Sequence, residues 1–453
     1  MNPLAQQALE KIKKRDYTIT VVGLGYVGLP TAVAFAKYGF RVIGADLNPQ
    51  KVESLNQGIS PLKDLDLDDD VAEVVRTGKF SATTDIIAGC AEGDAVLLIV
   101  PTPVHANKQP DLSYVAKASE SAAKALRRGQ LLVLESTTYP GTTEEFVIEA
   151  AHRLTKMKAG TDFGVAYCPE RYNPGDPEHT LSNVFRVVGA IDEDWAEVAA
   201  AMYGVLNGGK ITRVKDLKTA EAAKVIENIQ RDLNIALINE LALIFERLGI
   251  DTHEVLNAAA TKWNFVKYSP GPGVGGHCLP VDPYYLTSLA ERVGYHPKVI
   301  LAGRAVNDHM PHHVVELVVD GLNEARKPVK GSKIAILGLS YKANTGDPRE
   351  TPAEHVVAEL RRKGADLRLC DPWIKDHEVE TVFHGPNHKL ESALRGADAV
   401  VLLTDHQEFR KMSVEQVVSA TGKGAVVVDS RNCLVPTQVR AAGLTYRGVG
   451  RPA

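Results

Sequence analysis

The chain has 453 residues, with 52 Lys and Arg against 56 Asp and Glu, for a net charge of −4. At roughly 150 residues per domain this length suggests about three units. A charge this close to balance is unlike a protein that coats nucleic acid, and 44% hydrophobic with 24% charged residues describes a globular chain, not a disordered one.

The opening MNPLAQQALEKIKKRDY lacks the apolar core and small-residue cleavage site of a secretory leader. No run in the chain approaches the ~20 apolar residues of a membrane helix. A cytoplasmic protein with no membrane or nucleic-acid partner is therefore expected. The first ordered element is expected at Tyr17–Val22, an apolar β-rich run. Gly23-Leu-Gly25-Tyr26-Val27-Gly28 follows at once, then a helix-compatible stretch Leu29–Tyr38 and a second strand Phe40–Ala45 ending at Asp46. Strand, glycine turn, helix, strand and terminal acid make one βαβ unit. Asp94–Val100, Leu131–Glu135 and Gly164–Tyr167 are further short apolar strands separated by helical stretches, the alternation of a doubly wound parallel sheet.

From Asp216 to Gly249 the pattern changes. Ala222, Ile226, Ile229, Leu233, Leu237, Leu241, Ile244 and Leu248 recur at spacings of three and four, which predicts one long helix capped by Gly249. A Gly- and Pro-rich loop, Ser269–Pro283, follows, and Glu324–Gly331 reads as a linker. Lys333–Leu337, Gly338, a helix near Pro352 and a strand Asp366–Cys370 ending at Asp371 repeat the N-terminal outline, with Asp398–Leu403 and Ala425–Asp429 as later strands. The expected architecture is α/β: two Rossmann-like doubly wound parallel-sheet domains joined by a long central helix and helical segment. The expected domains are 1–212, 213–327 and 328–453.

The first turn carries a dinucleotide fingerprint. Gly23 permits the tight turn, Gly25 lets backbone approach a pyrophosphate, and Gly28 permits close helix packing. Asp46 lies where an acid would bind a ribose 2′-hydroxyl and repel a 2′-phosphate, which favours NAD over NADP. The second turn has Gly338-Leu-Ser-Tyr-Lys342 instead of the fingerprint and is not expected to hold a dinucleotide the same way. The run Gly271-Pro-Gly273-Val-Gly275-Gly276-His277-Cys278-Leu-Pro-Val-Asp282-Pro283 offers backbone that can wrap a ligand and ends in a cysteine outside any apolar strand or helix. Of the five cysteines, Cys90, Cys168, Cys278, Cys370 and Cys433, only Cys278 stands in such a setting. Their wide spacing and the lack of C-x-x-C argue against a disulfide scaffold or a zinc site. Glu221, Lys224 and Asn228 share one stripe of the long helix, either as functional groups or as a salt-bridged exposed stripe. His309, His312 and His313, beside Pro311 and without a carboxylate pattern, read as a solvated helix start.

Several motifs in order resemble the UDP-glucose/GDP-mannose dehydrogenase family along nearly the whole chain. They are Gly23–Leu29 (GLGYVGL), Val100–Pro103 (VPTP), Glu135–Thr143 (ESTTYPGTT), Cys168–Arg171 (CPER), Lys224–Asn228 (KVIEN), Gly271–Tyr285, Leu337–Pro352 and Val428–Arg431 (VDSR). The resemblance implies two Rossmann-like domains bridged by a helix that also forms a homodimer or higher homo-oligomer. It implies NAD held by Gly23, Gly25, Tyr26, Val27, Gly28 and Asp46, with Thr102 and Arg349 nearby. It makes Cys278 the nucleophile, with Lys224, Asn228 and Asp282 around the reacting carbon, Thr137 positioning water and Glu170 supporting hydrolysis. Tyr268, Gly271, Gly275, Lys342 and Arg431 would meet the UDP-sugar together with Glu170, Lys224 and Asn228. The run from His277 to Tyr285, with Tyr139-Pro-Gly, Tyr172-Asn-Pro-Gly175 and Ala260-Thr-Lys-Trp263, resembles the branch acting on UDP-N-acetylhexosamines. UDP-N-acetylglucosamine is expected first, then the N-acetylgalactosamine, N-acetylmannosamine and glucose counterparts. The family's glucose branch commonly has a lysine where this chain has Val281.

Overall fold

A computed structural model describes residues 1–62, 65–171 and 178–452. It divides into two compact units: Met1–Glu227 with Tyr284–Val293, and Asn228–Pro283 with Gly294–Ala453.

The first unit is built on eight strands: β1 (Thr18–Val22), β2 (Arg41–Ala45), β3 (Phe80–Thr83), β4 (Ala95–Leu98), β5 (Leu131–Leu134), β6 (Gly164–Tyr167), β7 (Arg186–Ala190) and β8 (Ile211–Arg213). Their order is β3-β2-β1-β4-β5-β6-β7-β8. The first six reproduce the Rossmann order, and the order reverses between β1 and β4, beside the Gly23–Gly28 turn. β4, β5 and β6 are buried at every position, as strands covered on both faces must be. Among the described residues, the β6–β7 pair alone of this sheet's strand pairs is antiparallel, with Ala166 opposite Ala190 and Tyr167 opposite Gly189. The sheet is therefore mixed at that edge, not parallel throughout.

The chain does not begin its ordered structure at Tyr17. A helix, Pro3–Lys14, precedes it, capped by the Asn2 side chain and burying Ala5, Ala8, Leu9 and Ile12. Those four positions fall at helical spacing, so the signal was in the sequence.

The second unit holds β9 (Lys333–Leu337), β10 (Asp366–Cys370), β11 (Ala399–Leu402), β12 (Val426–Asp429) and β13 (Thr445–Gly448), all parallel, in the order β10-β9-β11-β12-β13. This is the other common doubly wound order. The long helix spans Leu217–Leu248 and Gly249 follows it at φ +70°. Its residues through Glu227 belong to the first unit and those from Asn228 to the second.

His309, His312 and His313 do not start a helix. They lie inside the helix Lys298–Glu324, which runs through Pro311. His312 Nδ1 is 3.0 Å from Glu359 Oε2 and His313 Nε2 is 3.0 Å from Glu246 Oε2. A local partner is present as well: Glu316 lies 3.4 Å from His312 Nε2 and 3.5 Å from His313 Nδ1, so a carboxylate pattern was in the sequence, while Glu359 and Glu246 come from helices far away in it. Pro311 cannot donate to Asn307, four residues back. Gly273 fills the space this leaves: a Cβ there would lie 3.0 Å from the Asn307 carbonyl oxygen and 3.3 Å from Pro311 Cδ.

Candidate functional site

In the first unit the glycine turn has the shape a pyrophosphate needs. Gly23 has φ +93° and an added Cβ would strike the Ile99 carbonyl oxygen at 2.2 Å, whereas one on Gly25 would meet nothing within 4 Å. Tyr26 and Val27 complete the turn into the helix Gly28–Lys37. Asp46 follows β2 and accepts from the amides of Leu24 (2.9 Å) and Asn48 (3.0 Å) and from the Lys51 ammonium (2.7 Å). Burial alone would raise its carboxyl, but Lys51 and the two amides outweigh that and hold it below the usual range. A carboxylate has about four acceptor positions, so Asp46 keeps room for a ribose hydroxyl. An open glycine face at a helix start beside an ionised acid fits an NAD pyrophosphate and ribose.

The segments carrying Thr102 and Thr137 are pinned side by side. Ser136 Oγ accepts from Val100 N at 2.9 Å and donates to Val100 O at 2.8 Å. Thr102 and Thr137 are both half-buried. Glu170, just past β6, pairs with the guanidinium of Arg186, a residue wholly out of solvent. Behind them lies Glu135, whose Oε1 accepts from Tyr203 Oη at 2.5 Å.

The stripe on the long helix is not an exposed salt-bridged face. Glu221 is fully buried. Its carboxylate accepts from Gly141 N (2.5 Å), Thr143 N (2.8 Å) and Thr143 Oγ1 (2.7 Å). Lys224, one turn on, is half-buried.

In the second unit Asn228 Nδ2 donates to the Asp282 carboxylate across 54 residues of sequence. Cys278 sits in the turn just before Asp282: its carbonyl accepts from Val281 N at 3.1 Å and Asp282 N at 2.8 Å, and the helix Asp282–Arg292 starts there. The thiol is half-buried, while Cys90, Cys168 and Cys370 are buried. The loop before it is held at several points. Gly271 N donates to Asn239 Oδ1 (3.0 Å), Asn239 Nδ2 to Asn307 Oδ1 (2.9 Å), and Asn307 Nδ2 to Asp232 Oδ1 (2.8 Å), which also accepts from Arg304 (2.6 Å). A Cβ on Gly271 would come within 2.9 Å of Arg431 Nη1, and one on Gly275 within 2.7 Å of the Glu350 carbonyl oxygen. Arg431 Nε donates to Leu403 O at 2.9 Å.

Arg349 forms a two-point contact with Asp347 and its carbonyl accepts from Gly276 N. Lys342 lies half-buried in the loop after β9, and Tyr268 is half-buried. That loop is fixed by Asp371, which accepts from Leu339 N (2.7 Å) and Ser340 N (3.1 Å), and by buried His406, which accepts from Asn344 N at 2.9 Å. The Tyr172–Gly175 segment lies outside the described residues.

Sequence reading passed over Glu135 and Arg186, and over the buried string Asp232–Asn239–Arg304–Asn307. The available signals were charges embedded in the apolar runs LLVLE and FRVVGA, and polar residues recurring on the apolar face of two helices. Among the described residues no helix is long and apolar enough to cross a membrane.

Three domains of the UDP-glucose/GDP-mannose dehydrogenase family match the chain in order. Its NAD binding domain covers residues 17–207, its central domain 218–309 and its UDP binding domain 335–436. A UDP-N-acetyl-D-glucosamine 6-dehydrogenase of Pseudomonas aeruginosa is 42% identical over 409 residues, covering 89% of this chain and 94% of that protein. A UDP-N-acetyl-D-mannosamine dehydrogenase of Pyrococcus horikoshii is 36% identical over 434 residues, covering 96% and 99%. The solved structure of UDP-D-ManNAc dehydrogenase from Pyrococcus horikoshii superposes with a TM-score of 0.88 at 34% identity, covering 96% of this chain and 99% of that one. An NDP-N-acetyl-D-galactosaminuronic acid dehydrogenase from Methanosarcina mazei Go1 gives 0.83 at 34% identity, with 98% of each chain covered.

Proposed function

The chain belongs to the UDP-glucose/GDP-mannose dehydrogenase family, and on that footing we propose that it oxidises the C6 hydroxymethyl of a UDP-N-acetylhexosamine twice, to the uronic acid. UDP-N-acetyl-D-glucosamine is the proposed substrate, ahead of the N-acetylgalactosamine, N-acetylmannosamine and glucose counterparts. Relatives at 42% and 41% identity bear the N-acetyl-D-glucosamine name, while others bear N-acetyl-D-mannosamine and N-acetyl-D-galactosaminuronic acid names, so the hexosamine class has broader support than the epimer. The observation that carries the reading is the Cys278 turn, which sets a thiol at the end of a close-packed glycine loop, four residues before the Asn228–Asp282 pair.

NAD, held by the Gly23–Gly28 turn and Asp46, supplies the hydride acceptor for both oxidations. Lys224 and Asp282 manage the hydroxyl proton, and Lys224 with the Asn228 amide offsets negative charge on the C6 oxygen. The Cys278 thiolate adds to the aldehyde carbon, giving a thiohemiacetal that still carries the hydrogen lost in the second oxidation. Water positioned by Thr137 and activated by Glu170 then cleaves the resulting thioester. Covalent capture keeps the aldehyde from leaving between the two oxidations.

In this reading residues 1–212 serve NAD, 213–327 form the helical segment with the Cys278 loop, and 328–453 serve UDP through Lys342 and Arg431. Tyr268, Gly271 and Gly275 contact the sugar nucleotide, and Thr102 and Arg349 lie toward the cofactor. We assign the enzyme to the cytoplasm, where its five thiols stay reduced, as a homodimer or higher homo-oligomer. Exposed Leu237, Ile244 and Leu248 on the long helix support self-association.

The test is a side-by-side assay of the four UDP-sugars. Two NADH per sugar consumed, fastest with UDP-N-acetylglucosamine, is expected, and Cys278→Ser should stop acid formation. One NADH per sugar with free aldehyde, or full acid yield from Cys278→Ser, removes the double-oxidation scheme.

A further inference from the structure

A fully buried guanidinium needs an explanation, because moving such a charge out of water costs several kcal/mol unless its partners compensate. Arg186 opens β7 with no solvent exposure. Its Nη2 meets the Glu170 carboxylate, and its Nη1 lies 3.6 Å from Glu135 Oε2 and 3.9 Å from Cys168 Sγ. The guanidinium sits 5.0 Å from the centre of the Tyr203 ring, and the Tyr203 hydroxyl donates to the far oxygen of Glu135.

The single reversed strand pairing makes this cluster possible. A parallel β7 would bring its carboxyl end to the carboxyl end of β6. The antiparallel register of Ala166 with Ala190 and Tyr167 with Gly189 instead carries the start of β7 there, and continuing it sets Arg186 opposite Glu170. Of the cluster, Glu170 keeps the most solvent access, at 8%, against 3% for Glu135 and none for Arg186, Tyr203 and Cys168.

We propose that Arg186 is a positioning residue for the hydrolytic step, holding the Glu170 carboxylate in one orientation while Glu135 and Tyr203 anchor the guanidinium from behind. This rests on the reading of Glu170 as the group that activates water. In that step water attacks the thioester carbonyl carbon and gives a proton to Glu170. The carbon–sulfur bond breaks, and Cys278 leaves as thiolate and regains a proton. No oxidant is consumed, so the role of Arg186 is separable from both oxidations. Without the guanidinium, Glu170 loses the contact that fixes its orientation and faces a second buried carboxylate with no cation between them, which misdirects it as a base.

Glu135 adds a pH dependence. Burial pushes its carboxyl up to about 7, with Arg186 pulling it down and Glu170 pushing it up. Among the described residues, Tyr203 and Cys168 also face it, and burial raises both far above neutral. Above about pH 7 the ionised Glu135 adds a negative charge beside the Arg186–Glu170 pair.

The experiment uses the full-length protein with NAD and UDP-N-acetylglucosamine, following NADH by stopped flow and the covalent adduct by intact-protein mass spectrometry. Arg186→Met is expected to form two NADH per site in the first turnover, accumulate the adduct and then turn over at least ~100-fold slower, the usual size of a general-base contribution. Arg186→Lys should recover part of that rate. Near-wild-type turnover in Arg186→Met, or loss of both oxidations without adduct, overturns the proposal. Should Arg186→Met fail to fold, Glu135→Gln decides. It keeps shape and the Tyr203 hydrogen bond, and should flatten the pH dependence of hydrolysis between about pH 6 and 8; an unchanged wild-type profile overturns the proposal. Wild-type enzyme that yields acid while Cys278→Ser does so equally would instead remove the thioester scheme, a result independent of Arg186.

Discussion

Glu221→Ala is the sharpest test of how the long helix is seated in the first unit. The native carboxylate accepts two backbone amides and one hydroxyl within 2.8 Å. Glu221 and Thr143 have no exposure and Gly141 is half-buried, so bulk water does not freely replace the carboxylate. The Thr143 hydroxyl can rotate to another acceptor, but the amides of Gly141 and Thr143 cannot. Each buried unsatisfied donor costs about 1–3 kcal/mol. Against this stands relief from burying the acid, whose pKa is raised by burial even after the three donors pull it down. The balance is a loss of about 2–4 kcal/mol, which at a urea m-value of about 3 kcal/mol/M lowers the midpoint by about 1 M. Tryptophan fluorescence isolates this unit. Trp195 is wholly buried there, while Trp263 and Trp373 of the second unit are 92% and 40% exposed. Glu221→Gln retains one acceptor and should lose about half as much. A midpoint within about 0.3 M of wild type for the alanine variant, or equal losses in both, would refute the assignment of these hydrogen bonds as the seat of the helix. Because Glu221 stands one turn before Lys224, kcat should fall with stability in the alanine variant.

Asp46→Asn should raise the KM for NAD by roughly 10–100-fold with kcat little changed, since one charge-assisted hydrogen bond is worth about 1.5–3 kcal/mol; initial rates at varied NAD measure this, and a change under two-fold contradicts it. Gly275→Ala forces a methyl to within 2.7 Å of the Glu350 carbonyl oxygen and of Tyr341 Cβ. It should lower kcat/KM for the UDP-sugar by about tenfold or more while circular dichroism stays native. For Asp371, burial would raise the carboxyl, but His406 and the amides of Leu339 and Trp373 hold it below its ordinary value. Its contribution is therefore present above about pH 4 and lost as pH falls through the lower folded value. Asp371→Asn should be less stable at pH 7 and lose less on acidification, as urea midpoints at pH 7 and 3 will show.

What was legible in the sequence was local. Five-residue runs followed by Gly or Asp announced β1, β2, β9 and β10, because burial of both faces writes itself into adjacent residues; three-four spacing announced the long helix but not its buried face, since Ile226, Leu237, Ile244 and Leu248 of that stripe are exposed while Val225, Ile229, Asp232, Ala236 and Ala242 are buried. β3, β7, β8 and β13 escaped that reading, as did the reversal at β6–β7, which depends on pairing that no single strand encodes. The same division runs through the candidate site. Gly23, Asp46 and Cys278 stood out by their immediate neighbours. Arg186, Glu135 and the Asp232–Asn239–Arg304–Asn307 string acquire meaning only from partners on other elements, whereas the histidines around Pro311 were misread as a helix start because Pro311 lies inside the helix instead of at its first turn.

The two sheets carry the same acid after their second strand, yet the two acids have different vacancies. Asp46 answers to three donors from its own chain. Asp371 answers to five: Leu339 N, Ser340 N, Trp373 N, Ile374 N and His406 Nε2. A carboxylate saturates near four, so the second copy is already occupied by protein where the first remains open to a visitor. Restoring a glycine fingerprint after β9 would therefore not create a second dinucleotide site. The ligand would be competing with the fold itself for the same oxygen atoms, and the fold arrives first.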